Sequence, residues 1–227
     1  MSLIRWSTKR ARGDPEGVAK KLASRGEGEG TVVVSHRPGD ALLRFSIILR
    51  PAKARQPELL RLIIAFSTSE GIRKDTGVIT WLRWPDRVVV GRRVVATTST
   101  TGSSATHPRW VVLTSNIRTG RTDGGDDGST SLLDVLGVEV DPGLLVERVL
   151  ESLSLMYYGW TRGMNDHIVA RYRSMLDTIG RRVQIDDHER LRFGSARDVD
   201  EAGNLIVELQ SGEESIKVED AGRLKEL

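Results

Sequence analysis

Trp81-Leu82-Arg83-Trp84-Pro85-Asp86-Arg87 runs into Val88-Val89-Val90-Gly91-Arg92-Arg93 and on through Val94-Val95-Ala96-Thr97-Thr98-Ser99. Valine-rich runs flank Gly91-Arg92, which reads as a tight hairpin turn. The pattern predicts strands over Val78 to Arg83, Arg87 to Val90, Arg93 to Ser99 and, further on, Arg109 to Ile117. Two Trp, one Pro and three charged residues share one strand end. Composition alone favours Trp81 and Trp84 as core anchors, with Asp86 paired to Arg83 or Arg87.

Working outward, Asp14-Pro15-Glu16 has the form of a helix start, with Pro in the first turn. Strands follow over Thr31 to Ser35 and Ala41 to Arg50, joined by the turn His36-Arg37-Pro38-Gly39-Asp40. Pro57 opens a helix with a broad apolar face. Apart from Arg118 and Arg121, residues 118–130 are Gly, Asp, Thr and Ser and read as a loop. Helices are predicted from Ser131 to Leu136, from Pro142, and from Asn165 to Ile179 with Gly180 closing it. From Arg181 the chain changes to short strands: Val183 to Ile185, Arg190 to Ala196, Leu205 to Leu209 and Ser215 to Val218. The expected class is α+β: a mixed, mostly antiparallel sheet flanked by helices over residues 1–180, and a small C-terminal β-barrel over 181–227.

Composition narrows the chemistry. The 227 residues are 38% hydrophobic and 29% charged, enough apolar content to bury a core. With no cysteine, thiolate metal sites and cysteine nucleophiles are excluded. No apolar run reaches a membrane span and no signal peptide is visible, so the expected location is the cytoplasm. Net charge is +3, and 27 of the 34 cations are Arg. A GC-rich genome or heat adaptation explains that bias as readily as function does. There is no phosphate loop, no G-x-G-x-x-G after a strand and no H-E-x-x-H. His36, His107, His167 and His188 lack metal-ligand spacing and read as surface residues. Lys9, Arg10, Arg12 and Arg181-Arg182 are basic clusters without any nucleic-acid motif beside them, so nucleic acid is not an expected partner.

In order, the segments resemble the biotin protein ligases of the wider biotin/lipoate ligase superfamily. That family carries Lys-Trp-Pro-Asn-Asp, then a Gly-Arg-Lys hairpin, then a G-x-G-x-N strand. Here stand Arg83-Trp84-Pro85-Asp86-Arg87, Gly91-Arg92-Arg93 and Val112-x-Thr114-x-Asn116. Ser7-Thr8-Lys9 resembles the family's Ser-Thr-Asn. Phe193 to Asp200, followed by Gly203-Asn204-Leu205, resembles its small barrel.

The resemblance implies ATP-dependent joining of biotin to AMP, then transfer of biotin to a lysine of a biotin carboxyl carrier protein domain. It implies biotin, ATP and Mg as cofactors, and a possible homodimer. Arg93 and Arg83 take the catalytic positions. Arg37, Trp84, Pro85, Gly91 and Asn116 take the biotin- and ATP-binding ones.

The departures fall on those positions. The family's Gly-Arg-rich loop is replaced by the short run Ser35 to Ala41. The motif's last Asp is Arg87, a charge reversal, and the hairpin Lys is Arg93. Val112 and Thr114 replace two glycines, so side chains fill space where backbone approaches ligand in the family. A fold retained without its catalysis is therefore the alternative expectation: an inactive homologue that binds a ligand or a partner.

Overall fold

The computed structural model describes residues 4–37, 39–51, 56–104, 108–121, 128–186 and 191–227. His107, His188, Pro38 and Arg190 lie outside the described residues, as does part of the 118–130 run.

The first layer is a seven-stranded sheet. Its strands are β1 (Ser7–Arg10), β2 (Thr31–Ser35), β3 (Leu42–Leu49), β4 (Trp81–Arg83), β5 (Arg87–Val90), β6 (Arg93–Gly102) and β7 (Val111–Arg118), in the order β1-β2-β3-β7-β6-β5-β4. Only β1 and β2 pair parallel; the other pairs are antiparallel. A parallel pair needs a crossover, and helix α1 (Pro15–Ser24) supplies it. Its start is as expected: the Asp14 carboxylate accepts from the amides of Glu16 and Gly17. β1 itself was not foreseen. Four polar, exposed residues carry no strand pattern.

Helix α2 (Leu59–Thr76) packs under the sheet, and α4 (Pro142–Thr161) packs against α2. α2 is buried between them on nearly every side, so its apolar face is unusually broad. Gly71 lies inside α2 and does not end it: a Cβ there meets Val149 Cγ2 at 2.5 Å, so the glycine permits the close α2–α4 crossing. Gly77, in left-handed backbone, ends the helix.

α3 (Leu132–Leu136) is short, and α5 (Asn165–Arg173) stops well before Ile179. The reason is a competing partner. The chain after α5 turns to pair with β4, the Leu82 amide donating to Met175 O at 2.7 Å and the Asp177 amide to Leu82 O at 2.7 Å. That contact also occupies the outer edge of β4.

The C-terminal module is a five-stranded antiparallel sheet of β8 (Arg182–Asp186), β9 (Leu191–Val199), β10 (Leu205–Leu209), β11 (Gly212–Ile216) and β12 (Leu224–Glu226), in the order β11-β10-β9-β8-β12. β12 escaped the sequence reading because three residues cannot show a period. One apolar core runs without a break from the large sheet into this one. The turn Asp200–Asn204 docks on α2 through Gly203. Its φ is +82°, and a Cβ there would meet Leu62 Cδ1 at 2.3 Å.

Candidate functional site

Strand register places one row of side chains across the large sheet. Ser35 pairs with Arg44, Arg44 with Asn116, Asn116 with Thr97, Thr97 with Arg87, and Arg87 with Arg83. Directly paired residues share a face, so this row stands on the face opposite α2. The next row, Leu43, Ile117, Ala96, Val88 and Leu82, points the other way into the core and is almost wholly buried.

Two further rows share the outer face with Arg44 and Asn116. Ser46, Thr114 and Ser99 form one; Ile48, Val112 and Thr101 form the other. α1 covers this part, with Ala19 and Ala23 packed among Val33, Ile48 and Val112. The hydroxyls of Ser46 and Thr114 satisfy one another at 2.9 Å. Glu16 on α1 accepts from Thr101 Oγ1 at 2.9 Å and Ser99 Oγ at 3.3 Å. Partial burial pushes the Glu16 carboxyl up, but bonds from Lys20, Thr101 and Ser99 outweigh it and hold the group below its ordinary value.

Beyond α1 the same face is open. A cleft of about 500 Å³ is lined by Arg44, Arg87 and Arg118, with Thr97 and Asn116 as its polar floor and Leu42 and Val94 among its walls. Among the described residues no carboxylate lines it. Arg44 and Arg87 form no ion pair among the described residues. Segment 128–130 forms one flank: the Val94 amide donates to Gly128 O, and the Thr130 amide to Val94 O, both at 2.9 Å. Opposite, Gly120 folds onto Ala41, whose Cα a Cβ at 120 would meet at 2.7 Å. Arg44 and Arg87, with no ion-pair partner among the described residues and set over fixed polar groups, offer a place for an anion.

The residues singled out from the sequence divide into three places. Asn116 is on the cleft floor. Arg37 and Arg93 are exposed in the turns beside it, Arg37 in the turn leading to Ala41 and Arg93 just before Val94; Ala41 and Val94 both line the cleft. Gly91, with φ +58°, makes the β5–β6 hairpin. Arg83 and Trp84 face the C-terminal module, and Pro85 faces α5. Arg83 Nε lies 2.9 Å from Glu226 Oε2, and Arg83 Nη2 is 3.8 Å from Asp177 Oδ2. Trp84 Nε1 donates to Gly203 O at 2.9 Å, and its amide to Thr178 Oγ1 at 2.9 Å. Pro85, after a cis peptide, accepts from the Tyr172 hydroxyl at 2.9 Å. Burial, then the Asp86 charge, push that hydroxyl well above its ordinary value, so it stays a donor.

Two expectations for this segment are corrected. Trp81 is 44% exposed and anchors no core; Trp84 alone is buried. Asp86 pairs with Arg61 of α2, whose Nε donates to Asp86 Oδ2 at 2.9 Å, and not with Arg83 or Arg87. Arg87 faces the opposite side of the sheet from α2, and Arg83 is held by Glu226.

Arg44, Thr97 and Arg118 were missed as site residues, and Arg87 was read only as a departure. The signal was the period of two: Arg44 interrupts an apolar strand on the same face as Ser46, as Asn116 does beside Thr114. Among the described residues, no three His, Cys, Asp or Glu groups are placed to hold a metal, and no helix is long and apolar enough to cross a membrane.

Residues 178–221 match the family model described as biotin protein ligase C terminal domain. The chain is biotin protein ligase-like. It is 23% identical over 215 residues to the bifunctional ligase/repressor BirA of Bacillus spizizenii, covering 86% of this chain and 66% of that protein. This chain therefore spans just under two thirds of that relative's length. The apo biotin protein ligase of Aquifex aeolicus superposes with a TM-score of 0.83 at 18% identity, covering 98% of this chain and 99% of that one. Its complex with biotin and ATP gives 0.79 at 17% identity, over 97% and 98% of the two chains. A biotin protein ligase-like protein of unknown function from Silicibacter sp. TM1040 gives 0.79 at 19% identity, over 94% of each chain. At such identities these structures share the fold with this chain.

Proposed function

We propose that the open cleft holds an acid carboxylate and the phosphates of ATP, joins them as an acyl-adenylate, and delivers the acyl group to a lysine of a carrier domain. Biotin is the acid, because the ligases of this fold include one described in complex with biotin and ATP. The observation that carries the reading is the cleft lined by Arg44, Arg87 and Arg118, in which Arg44 and Arg87 have no ion-pair partner among the described residues. Two anions must approach each other there, and fixed guanidiniums offset that repulsion.

A carboxylate oxygen attacks the α-phosphorus. The new acyl–O–P bond forms as the bond to the β-phosphate oxygen breaks, and pyrophosphate leaves. The neutral amine of the carrier lysine then attacks the acyl carbon; AMP leaves and the amine loses its proton to solvent. In this reading Arg44, Arg87 and Arg118 hold charge, and Asn116 orients the acid. Arg93 and Arg37 reach in from the rim, and the Gly91 hairpin sets the position of Arg93. Trp84 ties the large sheet to the turn at Gly203, Pro85 ties it to α5, and Arg83 ties β4 to β12. Mg would come as part of the MgATP substrate, where it would offset phosphate charge; among the described residues no acidic group lines the cleft to hold it. A homodimer built on the large sheet would use the β1 edge, since β4 is paired with residues 175–177.

A second reading, binding without transfer, is favoured by Val112 and Thr114. They fill the floor beside Asn116, under and next to α1. Mass spectrometry of small molecules retained after incubation with biotin and MgATP separates the two. Biotinyl-5′-adenylate that disappears when ATP is omitted supports the ligase; intact biotin or ATP with no adenylate supports the second reading.

A further inference from the structure

Arg61 interrupts the apolar run Leu59-Leu60-Arg61-Leu62-Ile63-Ile64 in the first turn of α2. Its guanidinium is largely covered and joins two parts of the molecule. Nε donates to Asp86 Oδ2 at 2.9 Å, and Nη2 pairs with the same oxygen. Nη1 donates to Val218 O of the C-terminal module at 3.0 Å. Val218 is itself fixed: its amide donates to Asn204 Oδ1 at 3.2 Å, in the turn that docks on α2. A guanidinium is planar, so the edge given to Val218 sets the edge given to Asp86.

Asp86 immediately precedes Arg87, and the two side chains leave the chain on opposite sides. Asp86 reaches α2, while Arg87 lines the cleft. The Asp86 carbonyl accepts from the Thr98 amide at 2.9 Å and from Thr98 Oγ1 at 3.2 Å. Thr98 follows Thr97, the cleft-floor residue paired with Arg87. Arg87 has no ion pair among the described residues to hold it on its own side. Its place is therefore set by its strand pairing and by the anchored Asp86 before it.

We infer that Arg61 is a positioning residue for the cleft: it ties the C-terminal module to Asp86 and thereby fixes the place of Arg87. Arg61 does not line the cleft and acts through Arg87. The inference rests on the reading of this cleft as an anion-holding substrate site. It makes docking of the C-terminal module a condition for a well-formed site.

The test is titration calorimetry of inorganic pyrophosphate on the full chain, run as a double-mutant cycle. Arg61→Lys keeps the charge beside Asp86 but replaces the planar fork with a point charge. It should weaken binding by about tenfold, with the melting temperature within about 5 °C of wild type. In the Arg87→Gln background the same substitution should change the remaining affinity by less than about twofold, because the group it acts through is gone. A merely structural role would weaken binding equally in both backgrounds. Arg61→Gln combined with Asp86→Asn leaves no orphaned buried charge and should repeat the pattern, which covers the case of Arg61→Lys folding poorly. Wild-type affinity in both variants overturns the inference and leaves the cleft reading in place. A loss of equal size with and without Arg87 does the same. Wild type that binds no pyrophosphate removes the cleft reading and this inference with it. Biotin-dependent ATP–pyrophosphate exchange by the wild type tests the ligase reading separately: coupling of Arg61 to Arg87 without exchange keeps the inference and removes the ligase.

Discussion

The outer face of the large sheet has two halves built from the same strands. Under α1, Val33, Ile48 and Val112 pack against Ala19 and Ala23, and Ser46 and Thr114 satisfy each other. One row further along β3 and β7, Arg44 and Asn116 face an open cleft with no acidic wall among the described residues. In the covered half every polar group placed above has a partner, including Glu16 with Lys20, Ser99 and Thr101. In the open half, Arg44 and Arg87 have no ion-pair partner among the described residues. Arginines such as Arg44 and Arg87, without a counter-charge among the described residues, add nothing to stability, because like charges repel. The covered half is there to hold the fold; the open half is there to hold something else.

Substitutions that treat the halves differently can break this contrast. The largest effect is expected from Arg44→Gln with Arg87→Gln. Removing one preorganised donor to a developing charge costs about 10²–10³ in rate, so the pair should lower adenylate formation by about 10⁴. The melting temperature should hold or rise, because a repulsion is removed. A matching drop in stability would show that the arginines serve the fold.

Trp84→Ala should act in the opposite sense on stability. It removes a buried ring and its bond to Gly203 O, and should cost about 3–5 kcal/mol in denaturant unfolding. Gly71→Ala comes next, at about 1–3 kcal/mol, since a methyl would press on Val149 across the α2–α4 crossing.

In the covered half, Thr114→Val leaves the Ser46 hydroxyl buried without a partner. It should cost about 1–2 kcal/mol while leaving anion binding within about twofold of wild type. A large loss of binding would place Thr114 in the site and blur the boundary between the halves.

The smallest expected effect concerns pH. Glu16 is held below the ordinary 4.5 of a free carboxyl, so its contribution is complete above that value and lost as pH falls through the lower folded one. Thermal melts between about pH 5 and pH 3 should show wild type losing under about 1 kcal/mol more than Glu16→Gln. Equal slopes would mean the bonds from Ser99 and Thr101 add nothing.

Much of the architecture was legible because it rests on local chemistry. Asp14-Pro15 starts a helix wherever it is, Gly91 turns a hairpin, and alternating apolar residues on β3 and β7 mark a buried face. The order of Arg83-Trp84-Pro85, Gly91-Arg92-Arg93 and Asn116 was enough to suggest the fold. Two groups of features lay beyond local pattern. Polar β1 and three-residue β12 are strands only because a neighbour offers them a ladder, and α5 ends early because β4 takes the following residues. The site was hidden for the same reason. Sequence gives each strand its alternation but not its register, and register alone sets Arg44, Asn116, Thr97 and Arg87 in one line. The same pairing explains why Arg83, on that line, serves β12, and why Asp86 finds Arg61: backbone hydrogen bonds between distant segments decide which side chains meet.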